Sequence, residues 1–299
     1  MATDVIDTAK GFVNTVMSRV EDDVIHDIVF KSYTTIVSDY RVTIGLMITL
    51  LVVWIGFKFV YGDMAFTVGE AVRKLVVAII IWGLLTNWDI FALFFYDIFT
   101  KGPNELAASL TRSLTGKTVD SYAGIADLFD DAYAVSAYLF GQVGLTEGWG
   151  YIPIAILYSL IALMTVGLAL AFILIAKLGL GVVLIIAPIP IALLMFPATQ
   201  GVFVGWLRAL IGLALMPVMI VAALVFMLSI IGNDIHNAAT GVVEIQMEFL
   251  YANMLIMGVA AFLFWHIMDI AKSIGGGLNI SARDINVFVK RVSTLGIRR

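Results

Sequence analysis

The pattern of hydrophobic positions is dominated by one apolar stretch, which extends from residue 148 to residue 233. It contains no acidic residue, and its only basic residues are Lys177 and Arg208. One bilayer crossing needs about 20 apolar residues, so this stretch is long enough for several crossings and too uniformly apolar for a water-soluble domain. The pattern predicts an all-α fold, a polytopic helical membrane protein.

The N-terminal region has a different pattern. Between residues 4 and 29 apolar side chains recur every three or four positions, which is typical of one face of a helix. The opposite face is acidic, whereas a helix lying on anionic lipid carries Lys and Arg. We therefore predict that residues 1–40 form an N-terminal amphipathic extracytoplasmic helix, and we favour packing against protein over lying on lipid.

Residues 41–99 hold the first two predicted transmembrane segments. The first is Val42–Tyr61, and the second begins near Leu75. Polar residues at 86–89 interrupt the second segment, which predicts either one tilted helix or a helix followed by an interfacial segment. The polar residues 100–150 are predicted to form an extracytoplasmic loop subdomain with one helix near residues 125–140.

Residues 151–271 are predicted to be the transmembrane core, with spans at 152–176, 203–231 and 249–267. The segment 178–197 contains Pro188 and Pro190, and two prolines cannot lie in a straight helix because each lacks a backbone donor. Non-helical backbone at membrane depth must be satisfied by protein or a water-filled cavity. We therefore predict five transmembrane helices plus a Pro-broken re-entrant segment.

Basic residues predict the orientation. The tail 272–299 carries six Lys and Arg residues, whereas the preceding loop 232–248 carries none. Because cytoplasmic segments retain Lys and Arg, the tail is expected in the cytoplasm. Five spans then place the N-terminus in the periplasm and put Arg73 and Lys74 on the cytoplasmic side. No cleavable signal is expected at the N-terminus.

Composition narrows the chemistry. The chain is 61% hydrophobic and 13% charged, with a net charge of -4 and no cysteine. The basic residues are scattered, which argues against a sequence-reading nucleic-acid surface, and the absence of cysteine excludes disulfides and thiolate metal sites. Net charge and cysteine usage therefore indicate neither a redox protein nor a sequence-specific DNA-binding protein.

Three short motifs resemble catalytic or ligand sites, but each has a simpler interpretation. Residues 115–118 end like a phosphate loop, but Thr111 stands where that loop needs glycine. The glycines at 275–277 predict a flexible joint after the last span. His266 and Asp269 predict an interfacial polar pair instead of a metal site or proton relay. We expect no enzymatic activity and no cofactor, with a bound phospholipid as the one candidate ligand.

Two sets of residues within the apolar core are candidates for structural or partner contacts. Lys177 and Arg208 are costly at membrane depth, so they either snorkel to the inner surface or contact a polar passage, a partner's acidic group or a lipid headgroup. Gly201, Gly205 and Ala209, with Gly212 one turn later, form a small-residue stripe, which permits close helix packing within a subunit or between subunits.

The run from Ala187 to Phe203, followed by Trp206-Leu207 and Leu215-Met216-Pro217, resembles the core of the TrbL-type proteins. These are polytopic inner-membrane subunits of conjugative type IV secretion systems, equivalent to the sixth VirB component. The detailed match covers about 40 residues. Trp206, with Phe203 and Arg208, occupies the family's aromatic-basic position, which implies a structural role.

The resemblance also implies partners. The family forms an inner-membrane scaffold and conduit that supports pilus assembly and transfer of DNA or protein. The implied partners are the minor pilus-tip subunit, the major pilin, the cytoplasmic ATPases, the inner-membrane scaffold and further copies of this chain. Residues 100–150 carry three basic and six acidic residues, so contact with translocating DNA is expected to be weak and transient.

The residues alone also permit another class of protein. A small-molecule transporter or channel would use a Pro-broken segment and embedded basic residues. Against it stand the odd number of predicted spans, the lack of an evident internal repeat and the absence of an intramembrane acidic residue. An insertase or assembly factor is the third interpretation.

Overall fold

The computed structural model of the chain describes residues 15–16, 19–20, 25–61, 68–115, 123–141, 150–239 and 247–277. In these ranges nearly every residue is helical and none is in a β-strand. The helices are α1 (His26–Asp39), α2 (Arg41–Val60), α3 (Val68–Thr86), α4 (Trp88–Phe91), a π-helical turn (Ala92–Tyr96), α5 (Asp97–Thr115), α6 (Ala123–Gly141), α7 (Tyr151–Ile185), α8 (Pro188–Leu193), α9 (Gln200–Ala239) and α10 (Met247–Gly277).

Among the described residues, four helices contain a segment long and apolar enough to cross a membrane: Arg41–Lys58, Ile152–Ile185, Gln200–Ile231 and Leu250–Gly277. A bent pair, Ala71–Thr86 with Trp88–Ser113, raises the number to five if the pair counts as one broken span. The predicted all-α polytopic membrane fold with about five spans is therefore confirmed.

The second predicted span is broken at Asn87. The Asn87 side chain accepts hydrogen bonds from the backbone N–H of Asp89 at 2.9 Å and of Ile90 at 3.4 Å. An asparagine in this position starts a new helix because it satisfies backbone donors that have no intrahelical partner. The two helices meet at an angle of 103°. A single tilted helix is therefore wrong, and a helix followed by a second segment is the arrangement observed.

The predicted segment 178–197 is not one hairpin. Residues 178–185 continue α7 without interruption, so the third predicted span extends beyond residue 176. The helix ends only at Ile185, because Pro188 and Pro190 remove the donors that another turn of α7 would need. The short α8 and a series of turns then lead to α9. The break is real, but it occupies 186–199.

The polar region 100–150 contains more helix than expected. The helix predicted near residues 125–140 is confirmed as α6. Residues 100–115, which we expected to be part of a loop because of their polar composition, instead belong to α5, with Pro103 inside it. Pro103, Ala107 and Thr111 are buried at a spacing of four residues. Burial of this stripe favours helix although Gly102 and Pro103 locally disfavour it.

Other predicted segments fall partly outside the described residues. The predicted helix over residues 4–29 lies mostly outside them, and α1 is described from His26, with Val29 and Tyr33 buried. The tail from residue 278 onward also lies outside. The glycines at 275–277 end α10. The predicted flexible joint is therefore wrong for these three residues, because they continue the helix.

The chain divides into two compact units. The first unit comprises Met1–Asp23, Thr100–Leu178 and Leu213–Lys272. Its described core is apolar, with polar links between helices: Thr165 in α7 donates to the Met257 carbonyl in α10 at 3.1 Å, and the Ser136 and Ser159 hydroxyls are hydrogen-bonded at 2.8 Å. Such bonds hold helices together in lipid, where apolar contact alone gives little drive to associate.

The second unit comprises Val24–Phe99, Gly179–Gly212 and Ser273–Arg299. Within it α3 packs against both α2 and α8, and α1 also contacts α2 and α8. Leu51 and Ile55 of α2 are buried with Ala71 and Ala78 of α3. This unit contains all but one of the residues that the sequence analysis singled out for partner contact.

Candidate partner-contact site

The Pro-broken turn is closed by short-range backbone hydrogen bonds. In a regular helix, the Leu184 and Ile186 carbonyls would accept from residues 188 and 190, which are prolines. Instead Ala187 donates to Leu184 at 3.1 Å, and Ile189 donates to Ile186 at 3.1 Å. The backbone N–H of the residue immediately before each proline thus takes the place of the N–H that the proline lacks. These shorter-range bonds tighten the chain into a turn.

This tightening leaves the Val183 carbonyl without its usual helical donor, since Ala187 bonds to Leu184. The indole Nε1–H of Trp206 donates to the Val183 carbonyl at 2.8 Å. Trp206 lies in the second turn of α9 and is buried. A side chain of α9 therefore supplies a hydrogen bond that the C-terminal end of α7 lacks, and such bonds matter where water cannot satisfy the backbone.

Phe203 and Trp206 are also packed in an aromatic cluster. Trp206 lies 5.3 Å from Phe95 and 5.5 Å from Phe203, measured between ring centroids. From Phe95 the contacts continue through Phe91 to Tyr33, whose ring stacks on Phe91 at 4.3 Å. We call Tyr33, Phe91, Phe95, Phe203 and Trp206 the aromatic cluster. Its members link α1, the α4 region and α9.

Tyr33 anchors the other end of the aromatic cluster. Its hydroxyl donates to the Leu84 carbonyl at 2.6 Å, and the side chain is buried. Burial raises the pKa of the Tyr33 hydroxyl well above its usual range, because the phenolate would lose its hydration. Tyr33 therefore stays a neutral hydrogen-bond donor at any physiological pH.

The aromatic cluster was not predicted from the sequence. Residues 88–99 include six aromatic side chains, which is a visible signal. The sequence analysis interpreted this stretch only as the end of a tilted helix or as an interfacial segment. Their contact with Tyr33 and Phe203 depends on the bend at Asn87, which hydropathy alone does not reveal.

Among the described residues, the small-residue stripe makes a close helix approach at its last member, Gly212. At Gly201 and Gly205 an added Cβ atom would meet nothing within 4 Å, and both residues are exposed. At Gly275 a Cβ would lie 2.6 Å from the Arg208 carbonyl oxygen and 3.0 Å from backbone atoms of Gly212. The close approach therefore joins the end of α10 to α9 at Gly212, whereas Gly201, Gly205 and Ala209 are exposed.

The two basic residues behave differently from each other. Lys177 is only 6% exposed, and its Nζ atom is buried. Snorkelling to the surface is therefore wrong for Lys177, because its side chain points into the protein. Arg208 is half-buried, with its Nε atom buried. Lys177 belongs to the first unit, whereas Arg208, Pro188, Pro190 and the aromatic pair belong to the second.

The other short motifs offer few groups that could act in catalysis or metal binding. His266 and Asp269 are exposed, and the His266 ring lies 4.4 Å from the Phe262 ring in a tilted arrangement while its Nδ1 lies 3.1 Å from the Phe262 carbonyl. No group of three or more His, Cys, Asp or Glu residues in the described part of the chain could hold a metal ion. Residues 116–118 of the phosphate-loop-like motif lie outside the described residues.

Comparison with protein families agrees with this architecture. The family described as TrbL/VirB6 plasmid conjugal transfer protein matches residues 48–268, which is most of the chain. The chain belongs to the TrbL/VirB6 family. The matched region includes the Pro-broken turn, Trp206 and every candidate membrane span except the margins of the first and the last. The chain is therefore a membrane protein of a conjugal-transfer family.

Several rickettsial proteins are similar to this TrbL/VirB6 family member. An uncharacterized lipoprotein of Rickettsia conorii is 28% identical over 70% of this chain and 18% of its own length. An uncharacterized lipoprotein of Rickettsia typhi is 28% identical over 72% of this chain and 20% of its own length. An uncharacterized protein of Rickettsia prowazekii is 26% identical over 57% of this chain. The chain thus spans about a fifth of the length of the curated relatives it matches.

Proposed function

We propose that this chain is an inner-membrane scaffold and conduit subunit of a type IV secretion machine. The observation that carries the proposal is the match of residues 48–268 to the TrbL/VirB6 family. The hydrogen-bonded Pro-broken turn supports a structural role, because the Val183, Leu184 and Ile186 carbonyls accept hydrogen bonds from the protein itself. A transporter site of the broken-helix type would instead present such groups to a substrate or ion.

We also propose that the subunit has no enzymatic activity and draws energy from its partners. The expected partners are the cytoplasmic ATPases, the major pilin, the minor pilus-tip subunit and the inner-membrane scaffold. Contact with translocating DNA would be weak and transient, because region 100–150 has more acidic than basic side chains and binding to DNA phosphates needs basic ones. The subunit would support pilus assembly and substrate transfer by holding these proteins together.

A homo-oligomer is part of the proposal. Gly201, Gly205 and Ala209 are exposed on one face of α9, next to the exposed Val202. Small residues let two helices approach closely in lipid, and this face is not covered within the subunit. Contact between this face and a different face of the next subunit would generate a ring.

Purification of the tagged chain from its native host tests the proposal. We expect secretion ATPases and pilus subunits to accompany it in mild detergent, identified by mass spectrometry against an untagged control strain. A lone small oligomer without such partners would contradict the secretion role. Uptake of small solutes by proteoliposomes containing that oligomer would then support the transporter.

Cysteine labelling tests the proposed orientation, with a periplasmic N-terminus and a cytoplasmic C-terminus. Thr199 precedes the candidate span Gln200–Ile231 and Asn237 follows it. Since this span exceeds the length of about 20 residues that crosses a bilayer, the two positions are expected on opposite sides. In the cysteine-free chain, Asn237→Cys should react with an impermeant maleimide in intact cells, whereas Thr199→Cys should react only after permeabilisation. Labelling of both in intact cells would contradict the five-span topology.

A further inference from the structure

A small cavity with basic side chains lies within the second unit. Its volume is about 200 Å³, and it is bounded by α2, by α3 and by the segment between α8 and α9. Leu51, Arg73, Lys74, Pro197 and Gln200 are among its lining residues. We call it the basic pocket. Two of the described residues that line it are basic and none of them is acidic.

The cationic groups of the basic pocket are partly buried and held in place. Arg73 and Lys74 are half-exposed. The Lys74 ammonium lies 3.9 Å from the centroid of the Trp54 ring on α2, which is a cation–π contact. Gln200, at the start of α9, adds an amide that can donate hydrogen bonds.

Exposed apolar residues flank the basic pocket on both helices. Leu50 and Val53 of α2 are exposed, as are Val72 and Val76 of α3. In a membrane protein such residues contact acyl chains. A charged pocket beside a lipid-facing apolar surface matches a ligand with an anionic head and an apolar body. Basic pockets between transmembrane helices are typical sites for anionic headgroups.

The size of the basic pocket limits what it can hold. Pockets that bury a whole small molecule are commonly about 300–1,000 Å³. At about 200 Å³ this one fits a phosphate group with part of its glycerol and leaves the acyl chains outside. A free inorganic phosphate would use the cations but gain nothing from the apolar flanks. The combination therefore favours a phospholipid over a soluble anion.

We propose that the basic pocket binds the phosphate group of an anionic phospholipid, with Arg73 and Lys74 as the cationic contacts. The sequence had suggested Lys177 and Arg208 for this role. Lys177 is buried in the other unit, whereas Arg73 and Lys74 share a pocket of suitable size. The inference goes beyond the proposed secretion function, because it needs only that α2 and α3 lie in a membrane.

Native mass spectrometry of the full chain tests the proposal. The purified protein would be titrated with phosphatidylglycerol and, separately, with phosphatidylcholine in the same detergent. We expect the wild-type chain to retain one phosphatidylglycerol per subunit in preference to phosphatidylcholine. The double variant Arg73→Gln/Lys74→Gln should bind phosphatidylglycerol at least tenfold more weakly, because each basic residue contributes appreciably to headgroup attraction.

Two control variants separate the site from general charge and from misfolding. Arg112→Gln/Lys272→Gln also removes two exposed positive charges, outside the pocket, and should leave phosphatidylglycerol affinity within twofold of wild type. Arg73→Lys/Lys74→Arg keeps the charge and should retain most of the binding, with an unchanged size-exclusion profile. Equal loss of affinity in the Arg112/Lys272 variant, or none in Arg73→Gln/Lys74→Gln, would overturn the proposal.

A competition experiment tests whether the ligand of the basic pocket is a phospholipid or free phosphate. Inorganic phosphate at millimolar concentration should not displace the bound phosphatidylglycerol, because it lacks the apolar body that contacts the flanks. Displacement at that concentration would overturn the assignment to phospholipid. Failure of this lipid experiment would leave the secretion proposal untouched, since that rests on the proteins that co-purify with the chain.

Discussion

Gly275→Ala is expected to destabilise the folded chain strongly. The new methyl group would lie 2.6 Å from the Arg208 carbonyl oxygen and 3.0 Å from Gly212 backbone atoms, and backbone cannot move aside as a flexible side chain can. Overpacking of this kind costs about 1–3 kcal/mol. We expect the apparent melting midpoint in detergent to fall by roughly 5 °C or more, measured by size exclusion after heating.

Gly276→Ala and Gly277→Ala are matched controls. They lie in the same last turn of α10, and an added Cβ would meet nothing within 4 Å at either position. Because alanine favours helix over glycine by about 1 kcal/mol, each control should leave the midpoint unchanged or raise it. If Gly275→Ala behaves like these two variants, the close approach of α10 to α9 is not as described.

Trp206→Ala is expected to have the second large effect. It removes a buried indole that packs on Phe95 and Phe203, and it leaves the Val183 carbonyl without a donor. Loss of a large buried aromatic side chain costs about 3–5 kcal/mol. We expect a fall in the apparent melting midpoint of about 10 °C, measured in the same way.

Trp206→Phe separates the hydrogen bond from the packing. Phenylalanine keeps an aromatic ring in the cluster but cannot donate to Val183, so about 1–3 kcal/mol of the loss should persist. Trp265→Ala is the control, because Trp265 is 61% exposed and belongs to no buried cluster of the described residues. It should lower the midpoint by much less. Equal stability of Trp206→Phe and wild type would mean that the indole donor is dispensable.

The Pro-broken segment illustrates how far sequence reasoning extends. Pro188 and Pro190 predict a break, and the structure has one at residues 186–199. Its start was misplaced because Lys177 looked like the end of a span. Instead the helix continues through that charge and buries it. A charged residue ends a transmembrane helix only if its charged group must reach water. A folded protein can instead surround that group itself.

For the candidate site residues, too, the sequence indicated some features correctly and left others to the tertiary structure. Phe203 and Trp206 were singled out by resemblance, and both lie in the aromatic cluster. Gly201, Gly205 and Gly212 were singled out by their spacing, and of these three Gly212 is the one that Gly275 of α10 approaches closely. Spacing identifies a face that permits contact, whereas the neighbouring helix decides whether contact occurs.

The sequence by itself determined the membrane class, the all-helical fold, the approximate spans and the existence of breaks at residues 86–89 and at Pro188 and Pro190. These follow from local physics, because a bilayer demands apolar helices of sufficient length and proline removes a backbone donor wherever it stands. Only the tertiary structure decided that Trp206 bonds to Val183, that Gly275 touches α9 and that Arg73 and Lys74 share a pocket. In a membrane protein both the lipid-facing and the buried side chains are apolar, so hydropathy cannot tell which face of a helix meets which neighbour.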